Sequence, residues 1–148
     1  QTVSVCSHKI VNNTISVVKE KNIMKAAMPL LTFEGRAFEA LEYYKEVFHH
    51  FDIIQLVNYA DSNKIQQSVI RIGDMHLMIK DSEIPFEFTF TPSMSVYIEC
   101  EDLNEIELLY RKLKKNGAIH VPLDDYNMSR RYAWIQDQFG VSWQLNLI

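Results

Sequence analysis

The sequence is poor in the residues that mark several classes of protein. Only two of its 148 residues are cysteine, and Cys6 and Cys100 are too far apart to form a metal-binding or redox motif. Such a low count is typical of a reducing compartment, so we expect a cytoplasmic protein. Basic residues number 15 against 19 acidic ones, and no stretch is long and apolar enough to span a membrane. We therefore expect neither a nucleic-acid partner nor a membrane partner.

The remaining composition is that of a folded protein. Apolar residues make up 47% of the chain and aromatic residues 11%, which suits one domain or two small modules that share a core. Residues 1–23 contain no Met, Gly or Pro, and we interpret them as an N-terminal extension. The core domain is then predicted to comprise residues 24–148.

Two segments, at about residues 28–81 and 93–148, repeat one order of predicted elements: a strand, a helix and three further strands. Their helical stripes coincide at an offset of about 65 residues. The paired positions are Phe38 with Leu103, Leu41 with Ile106, Tyr44 with Leu109, and Phe48 with Leu113. We therefore predict an α+β fold of two βαβββ modules, which form a curved mixed sheet with the helices on its outer face.

Local signals support this division. Asp102 and Glu105 form a capping box at the start of the second helix, and Gly117 supplies its stop. A short strand is expected at 118–122 and a loop at 124–129. The linker between the modules carries three Phe residues at alternate positions within 86–90. Because such side chains are costly to leave in water, we expect this segment to cover a cavity mouth or a partner subunit.

The duplicated plan resembles the vicinal oxygen chelate superfamily, which includes glyoxalase I, extradiol dioxygenases, fosfomycin-resistance enzymes and bleomycin-binding proteins. Within it the chain is most similar to the PhnB-like branch, also described as a 3-demethylubiquinone 3-methyltransferase domain. The resemblance covers nearly everything from Met28 onward. It is carried by Phe33-Glu34-Gly35, Ala40, Tyr43-Tyr44, Phe48, Ile72-Gly73-Asp74, residues 96–102, and the run from Trp134 to Gln144.

The resemblance also implies where a divalent metal would be held in related enzymes. The four ligand positions correspond to Met28 or Leu30, Leu77 or Met78, Ser95, and Gln144. None of these residues is a histidine or a carboxylate, and a hard cation needs such ligands to offset its dehydration. We therefore expect no metal and no other cofactor.

A cavity without a metal can still bind a small molecule. We expect its ligand-binding residues to be Thr32, Ser95, Tyr97, Gln144 and Arg131. An inward-pointing arginine of the Arg130-Arg131 pair would clamp an anionic group; the alternative is a solvated pair. Glu99 shares a strand face with Ser95 and is the candidate for a general acid or base, although a carboxylate at a strand end is commonly a rim residue.

Two functions follow from these residues. One is metal-independent binding of a small polar organic molecule by a homodimer, since unpaired modules leave sheet edges and apolar surface to cover. The other is a metal-dependent lyase, dioxygenase or resistance enzyme that uses atypical ligands such as His76 and Glu99. An isolated histidine such as His76 is more often a solvent-facing or core residue than a ligand. S-adenosylmethionine binding is not expected, because no glycine-rich nucleotide loop follows a strand.

Overall fold

The computed structural model describes residues 25–148, together with the backbone of residues 10–11 and 14–15. The two short segments are β1 (Ile10–Val11) and β2 (Thr14–Ile15), which pair antiparallel. The rest of the extension predicted at 1–23 lies outside the described residues. Among the helices described, none is both long and apolar enough to cross a bilayer.

Two modules with one element order make up the remainder. The first contains β3 (Leu30–Phe33), α1 (Ala37–Val47), β4 (Phe51–Asn58), β5 (Ile65–Ile72) and β6 (Met75–Asp81). The second contains β7 (Ser95–Glu99), α2 (Leu103–Leu113), β8 (Ala118–Tyr126), β9 (Ser129–Gln136) and β10 (Ser142–Leu147). Their sheets have equivalent strand orders, β3-β6-β5-β4 and β7-β10-β9-β8. The predicted α+β fold of two βαβββ modules is confirmed.

Within each sheet the first and last strands of the module pair in parallel, and the other neighbours pair antiparallel. The parallel pairing needs a crossover, which α1 and α2 supply. Each sheet is therefore mixed and carries its helix on one face.

Strand β8 is longer than the sequence indicates. The pattern predicts a strand at 118–122 and a loop at 124–129, whereas β8 continues to Tyr126 and a two-residue turn joins it to β9. Its pairing with β9 shifts register in three places. Pro122 and two following Asp residues have low strand propensity, but an outer strand with bulges accommodates them. Tertiary pairing therefore overrides the local signal here.

The two helical stripes are buried as predicted except at their first positions. Leu41, Tyr44 and Phe48 of the first stripe are buried, as are their counterparts in the second. Phe38 and Leu103, by contrast, are 40% and 42% exposed. Both lie in the first turns of their helices. In α1 the buried residues of that turn are Ala37 and Ala40, so Phe38 lies at the edge of the stripe.

The N-termini of the two helices are capped in different ways. Asp102 Oδ1 accepts a hydrogen bond from Glu105 N at 2.9 Å, which confirms the cap of α2. Glu105 in turn accepts from Glu101 N at 2.7 Å, one residue earlier than a standard capping box. At α1 the N-cap residue supplies no side-chain cap. Instead Asp81, at the end of β6, accepts from the backbone N–H groups of Gly35 and Ala37.

Gly117 is required for a reason other than the one predicted. The left-handed residue after α2 is Asn116, with φ of 58°. A Cβ atom on Gly117 would lie 2.1 Å from the carbonyl oxygen of Gln136, so only glycine fits against the β9 backbone. The glycine therefore allows the chain that leaves α2 to pass close to the backbone of β9.

Both modules contribute to one hydrophobic core. The Tyr44 and Phe48 rings of α1 lie 5.4 and 5.0 Å from the ring of Trp143 in β10. Between the helices, Tyr43 OH donates to the Lys112 carbonyl at 3.0 Å. Cys100 is buried in this core as a free thiol, as expected for a cysteine at the end of an apolar strand face. The helix-bearing faces of the two sheets thus pack together, and their opposite faces point away from the core.

Candidate functional site

The second sheet presents a polar face on the side opposite its helix. In β10 the side chains of Trp143, Leu145 and Leu147 enter the core, so alternation turns Ser142 and Gln144 the other way. Register places further side chains beside these two on the neighbouring strands. We define the polar face as Ser95 and Tyr97 of β7, Tyr132 and Trp134 of β9, and Ser142 and Gln144 of β10.

Gln144 is the centre of a hydrogen-bonded network on this face. Tyr132 OH donates to Gln144 Oε1 at 2.6 Å, and Gln144 Nε2 donates to Ser95 Oγ at 3.1 Å. Because Ser95 donates its one proton to the Pro92 carbonyl, its oxygen accepts from Gln144, and this fixes which way the amide points. One N–H and one oxygen lone pair of Gln144 are left for a ligand.

The network continues through two serines to the neighbouring strand. Trp134 Nε1 donates to Ser142 Oγ at 2.8 Å, and the Ser142 and Ser95 hydroxyl oxygens lie 2.7 Å apart. Ser95 Oγ also donates to the carbonyl of Pro92 at 3.3 Å. Because the indole can only donate and the Pro92 carbonyl can only accept, the hydrogen bonds run in one direction, from Trp134 through Ser142 and Ser95 to Pro92.

The polar face carries no formal charge among its six residues. Burial raises the pKa of Tyr132, and the neighbouring Tyr97 and Tyr126 raise it further. The phenol therefore stays protonated and remains a donor at neutral pH. A face of hydroxyl, amide and indole groups is suited to hydrogen bonding with carbonyl, amide or carboxylate groups of a ligand.

The turn between β9 and β10 sets the register that builds this face. Asp137 is buried there and accepts from the backbone N–H groups of Phe139 and Val141, at 2.9 and 3.1 Å. Its second oxygen accepts from Tyr44 OH at 2.7 Å and from Trp143 Nε1 at 2.9 Å. Burial raises the pKa of Asp137, and these four hydrogen bonds oppose that rise. The carboxylate thus ties the start of β10 to helix α1.

The positions implied for a metal do not form a metal site. On the first sheet Leu30 pairs in register with Met78, while Leu77 is buried in the core. The outward pair is thus Leu30 and Met78. On the second sheet the outward candidates are Ser95 and Gln144, although the register partner of Ser95 is Ser142. An alkyl group, a thioether, a hydroxyl and a neutral amide do not fit a hard divalent cation. Within residues 25–148, no group of three or more His, Cys, Asp or Glu could hold a metal ion.

Thr32 lies apart from the other predicted ligand-binding residues. It is on β3 of the first sheet and lines a separate cleft of about 460 Å³. The linker forms one wall of that cleft, where the Phe86 and Phe88 rings stack at 4.7 Å and Phe90 packs on Phe33 at 5.0 Å. The structure therefore brings Ser95, Tyr97 and Gln144 together but leaves Thr32 with the aromatic linker.

Arg131 belongs to the opposite face of its strand. It pairs in register with Leu147, whose side chain enters the core, and its guanidinium lies 3.6 Å from the carboxylate of Glu107 on α2. It also approaches Asp124 at 4.0 Å. The expectation that Arg131 clamps a ligand on the polar face therefore fails on alternation, which turns the exposed Arg130 toward that side instead.

The candidate acid–base and atypical metal residues also lie away from the network. Glu99 ends β7 and lines a cleft between the modules together with His49 and His50. His76 stands exposed in β6 opposite Arg71 of β5. Neither Glu99 nor His76 hydrogen-bonds to Gln144 in the part of the chain that the structure describes.

Sequence reasoning missed two donors of the network. From the sequence alone, Trp134 is expected in the core because of its large aromatic side chain, and no motif singles out Tyr132. The signal that finds both is the register of the closing hairpin, which sets Trp134 opposite Gln144 and Tyr132 opposite Asn146. That register depends on the Asp137 turn, which sequence spacing alone does not fix.

Comparisons with known proteins agree with this geometry. The family model described as 3-demethylubiquinone-9 3-methyltransferase matches residues 25–146. A PhnB protein from Bacillus cereus is 34% identical, with a TM-score of 0.78 over 84% of this chain and 100% of that chain. Protein PA1353 from Pseudomonas aeruginosa is 23% identical, with a TM-score of 0.73 over 82% of this chain and 96% of that one. No curated protein matches the chain.

A more distant structure shares the fold alone. It is a mutant of the fosfomycin resistance protein FosX from Listeria monocytogenes, complexed with Mn(II) and 1S,2S-dihydroxypropylphosphonic acid. That protein is 12% identical, with a TM-score of 0.54 over 84% of this chain and 93% of its own.

The family match spans both modules and every residue of the polar face. The repeated element order and the equivalent strand orders of the two sheets support the same assignment. The chain belongs to the 3-demethylubiquinone-9 3-methyltransferase family, the PhnB-like proteins.

Proposed function

We propose that the protein binds a small polar organic molecule on the polar face without a metal, as a homodimer in the cytoplasm. The observation that carries this proposal is the Gln144 network, which stands where the resemblance places metal ligands. A preorganised amide with one free donor and one free acceptor position recognises a ligand by hydrogen bonds. Sequestration of a toxin or antibiotic and sensing of a metabolite both require only such binding.

The donor set favours binding over metal-assisted catalysis. Ser95 and Gln144 are neutral, and Leu30 and Met78 supply no oxygen or nitrogen atom. The family's description names a methyltransferase, but the sequence has no glycine-rich nucleotide loop after a strand to support that activity. Binding therefore requires the fewest groups beyond those the chain supplies.

Exposed apolar side chains support the homodimer. Strand β4 is the outer strand of the first sheet, and it exposes Ile53, Ile54, Leu56 and Val57 along its length. A long apolar edge of this kind invites pairing with another chain unless it is covered. A second copy of the protein would cover it and close the open sheet faces into a cavity.

A ligand screen by thermal shift tests the binding proposal. A molecule that binds only the folded protein, at a hundred times its dissociation constant, stabilises it by about 2.7 kcal/mol. We expect hits among small molecules with carbonyl, amide or carboxylate groups. Gln144→Ala should weaken their binding about tenfold or more, because it removes the hydrogen-bonding amide of the site.

A matched control is Gln66→Ala, which removes an exposed glutamine from the first sheet and should leave the thermal shift unchanged. Metal analysis of the purified protein, with binding repeated in chelator, completes the test. A stoichiometric metal that is essential for binding or turnover would overturn the metal-independent proposal. Equal losses in the Gln144→Ala and Gln66→Ala variants would overturn the assignment of the site.

A further inference from the structure

A second cavity lies between the two modules. It has a volume of about 580 Å³, within the range of small-molecule sites. Its walls are the end of α1, the turn between β5 and β6, strand β7 and the start of α2. Tyr97 borders both this cleft and the polar face, but Gln144 and its serine partners do not line the cleft.

The floor of the cleft is apolar. Seven of its lining residues have wholly apolar side chains, namely Phe48, Ile72, Met75, Val96, Ile98, Leu108 and Leu109. Burying a ligand's apolar surface against them contributes about 25 cal/mol per Å². The floor therefore favours an occupant with an apolar body over a compact polar ion.

The rim of the cleft is acidic. Asp74, Glu99, Glu101 and Glu105 line it, and none of its described lining residues is Lys or Arg. Glu105 already accepts a hydrogen bond from Glu101 N, whereas Glu99 and Glu101 are exposed. Carboxylates of one sign around a low-dielectric floor concentrate a negative potential that attracts cations and repels anions.

We propose that this cleft binds an organic cation, an ammonium group carried on an apolar body. The apolar body lies on the floor, and the ammonium group is held by Glu99 and Glu101. A bare metal ion does not suit the rim, because the described residues contain no group of three or more ligands able to share one. The site is separate from the proposed function and does not depend on it.

Titration calorimetry with 4-phenylbutylamine, which is cationic at neutral pH, tests the proposal. Two matched probes carry a phenyl ring on the same four-carbon chain but end in a different polar group. They are neutral 4-phenylbutanol and anionic 4-phenylbutyrate. We expect saturable binding of the amine, weaker by about tenfold for the alcohol and absent for the carboxylate. Raising the salt concentration should weaken amine binding, because exposed charges are screened.

Two variants locate the site. Glu99→Gln and Glu101→Gln should each weaken amine binding roughly threefold, the range expected for exposed ion pairs. Glu42→Gln, which changes an exposed carboxylate of α1 outside the cleft, should leave it unchanged. Gln144→Ala should also leave amine binding unchanged. A negative result for the cleft therefore does not count against ligand binding on the polar face, and a negative result there does not count against the cleft. Equal affinities for amine and alcohol, or equal losses in the Glu42 and Glu101 variants, would overturn the proposal.

Discussion

The orientation of one amide group determines what the polar face can recognise. Gln144 accepts a hydrogen bond from Tyr132 and donates one to Ser95. Exchanging its oxygen and nitrogen would require Ser95 to donate to the amide and give up its hydrogen bond to the Pro92 carbonyl. A ligand therefore meets a fixed donor and a fixed acceptor. Such a site distinguishes ligands by the arrangement of their own donors and acceptors, because a mismatched group leaves a partner unsatisfied.

Cys100 provides a prediction at the residue scale. Burial, and secondarily the charge of Glu105, raises the pKa of its thiol to about 12. Because only the thiolate reacts, iodoacetamide at pH 8 should label Cys100 roughly a thousandfold more slowly in the folded protein than in concentrated urea. Mass spectrometry of the peptide that contains Cys100 measures both rates. Folded and unfolded rates within tenfold of each other would contradict the raised pKa.

The site was partly predictable at this scale. Ser95 and Gln144 follow from the resemblance, and the structure joins them by a hydrogen bond. Arg131 could not be placed, because which residue of an Arg-Arg pair points inward depends on a register that one sequence does not give. Trp134 was misplaced because its bulk suits a core, whereas its indole N–H is satisfied by Ser142 on the polar face.

At the scale of single elements, the two helices are capped by residues that lie at very different distances from them along the chain. The cap of α2 is local, since Asp102 lies next to the helix that it begins. The cap of α1 is Asp81, which lies 44 residues after Ala37 in the chain. Asp81 also accepts from Ile65 N at 2.9 Å and so joins β5, β6 and α1 at one point.

This difference predicts unequal costs on removal. Asp81→Ala leaves three buried or half-buried N–H groups without an acceptor and should lower the free energy of unfolding by about 3 kcal/mol or more. Asp102→Ala removes one exposed helix cap and should cost about 1 kcal/mol. Urea denaturation of the two variants and the parent protein compares them. Equal costs would show that the Asp81 contacts are individually weak.

The order of elements was predictable because it depends on periodicity and turn residues. The prediction fails where the extent of one element depends on its pairing or packing with another. Strand β8 extends through Pro122 only because β9 pairs with it. Phe38 and Leu103 continue the helical period but are exposed, and they occupy equivalent places in the two modules. The repeat is thus reproduced even where the burial prediction is wrong.

At the scale of the whole molecule, the proposed homodimer is open to direct measurement. Light scattering after gel filtration should give a mass near twice the chain mass of 17.4 kDa. Ile54→Lys places a charge on a side chain of β4 that is 56% exposed, and it should shift the protein toward monomer. Met128→Lys alters an exposed residue in the turn between β8 and β9 and serves as the control. A parent protein that remains monomeric at all concentrations would contradict the dimer.

The Asp137 contacts have a consequence for how the chain folds. Tyr44 belongs to the first module and lies 93 residues before the carboxylate to which it donates. Contacts this distant in sequence are reached only after a large loss of chain entropy, which slows folding. If the chain were divided at the linker, Tyr44 and Asp137 would lie on different fragments. Each fragment would then expose apolar side chains that the shared core buries. The two repeats are therefore expected to unfold as a single cooperative unit, although their plan is duplicated.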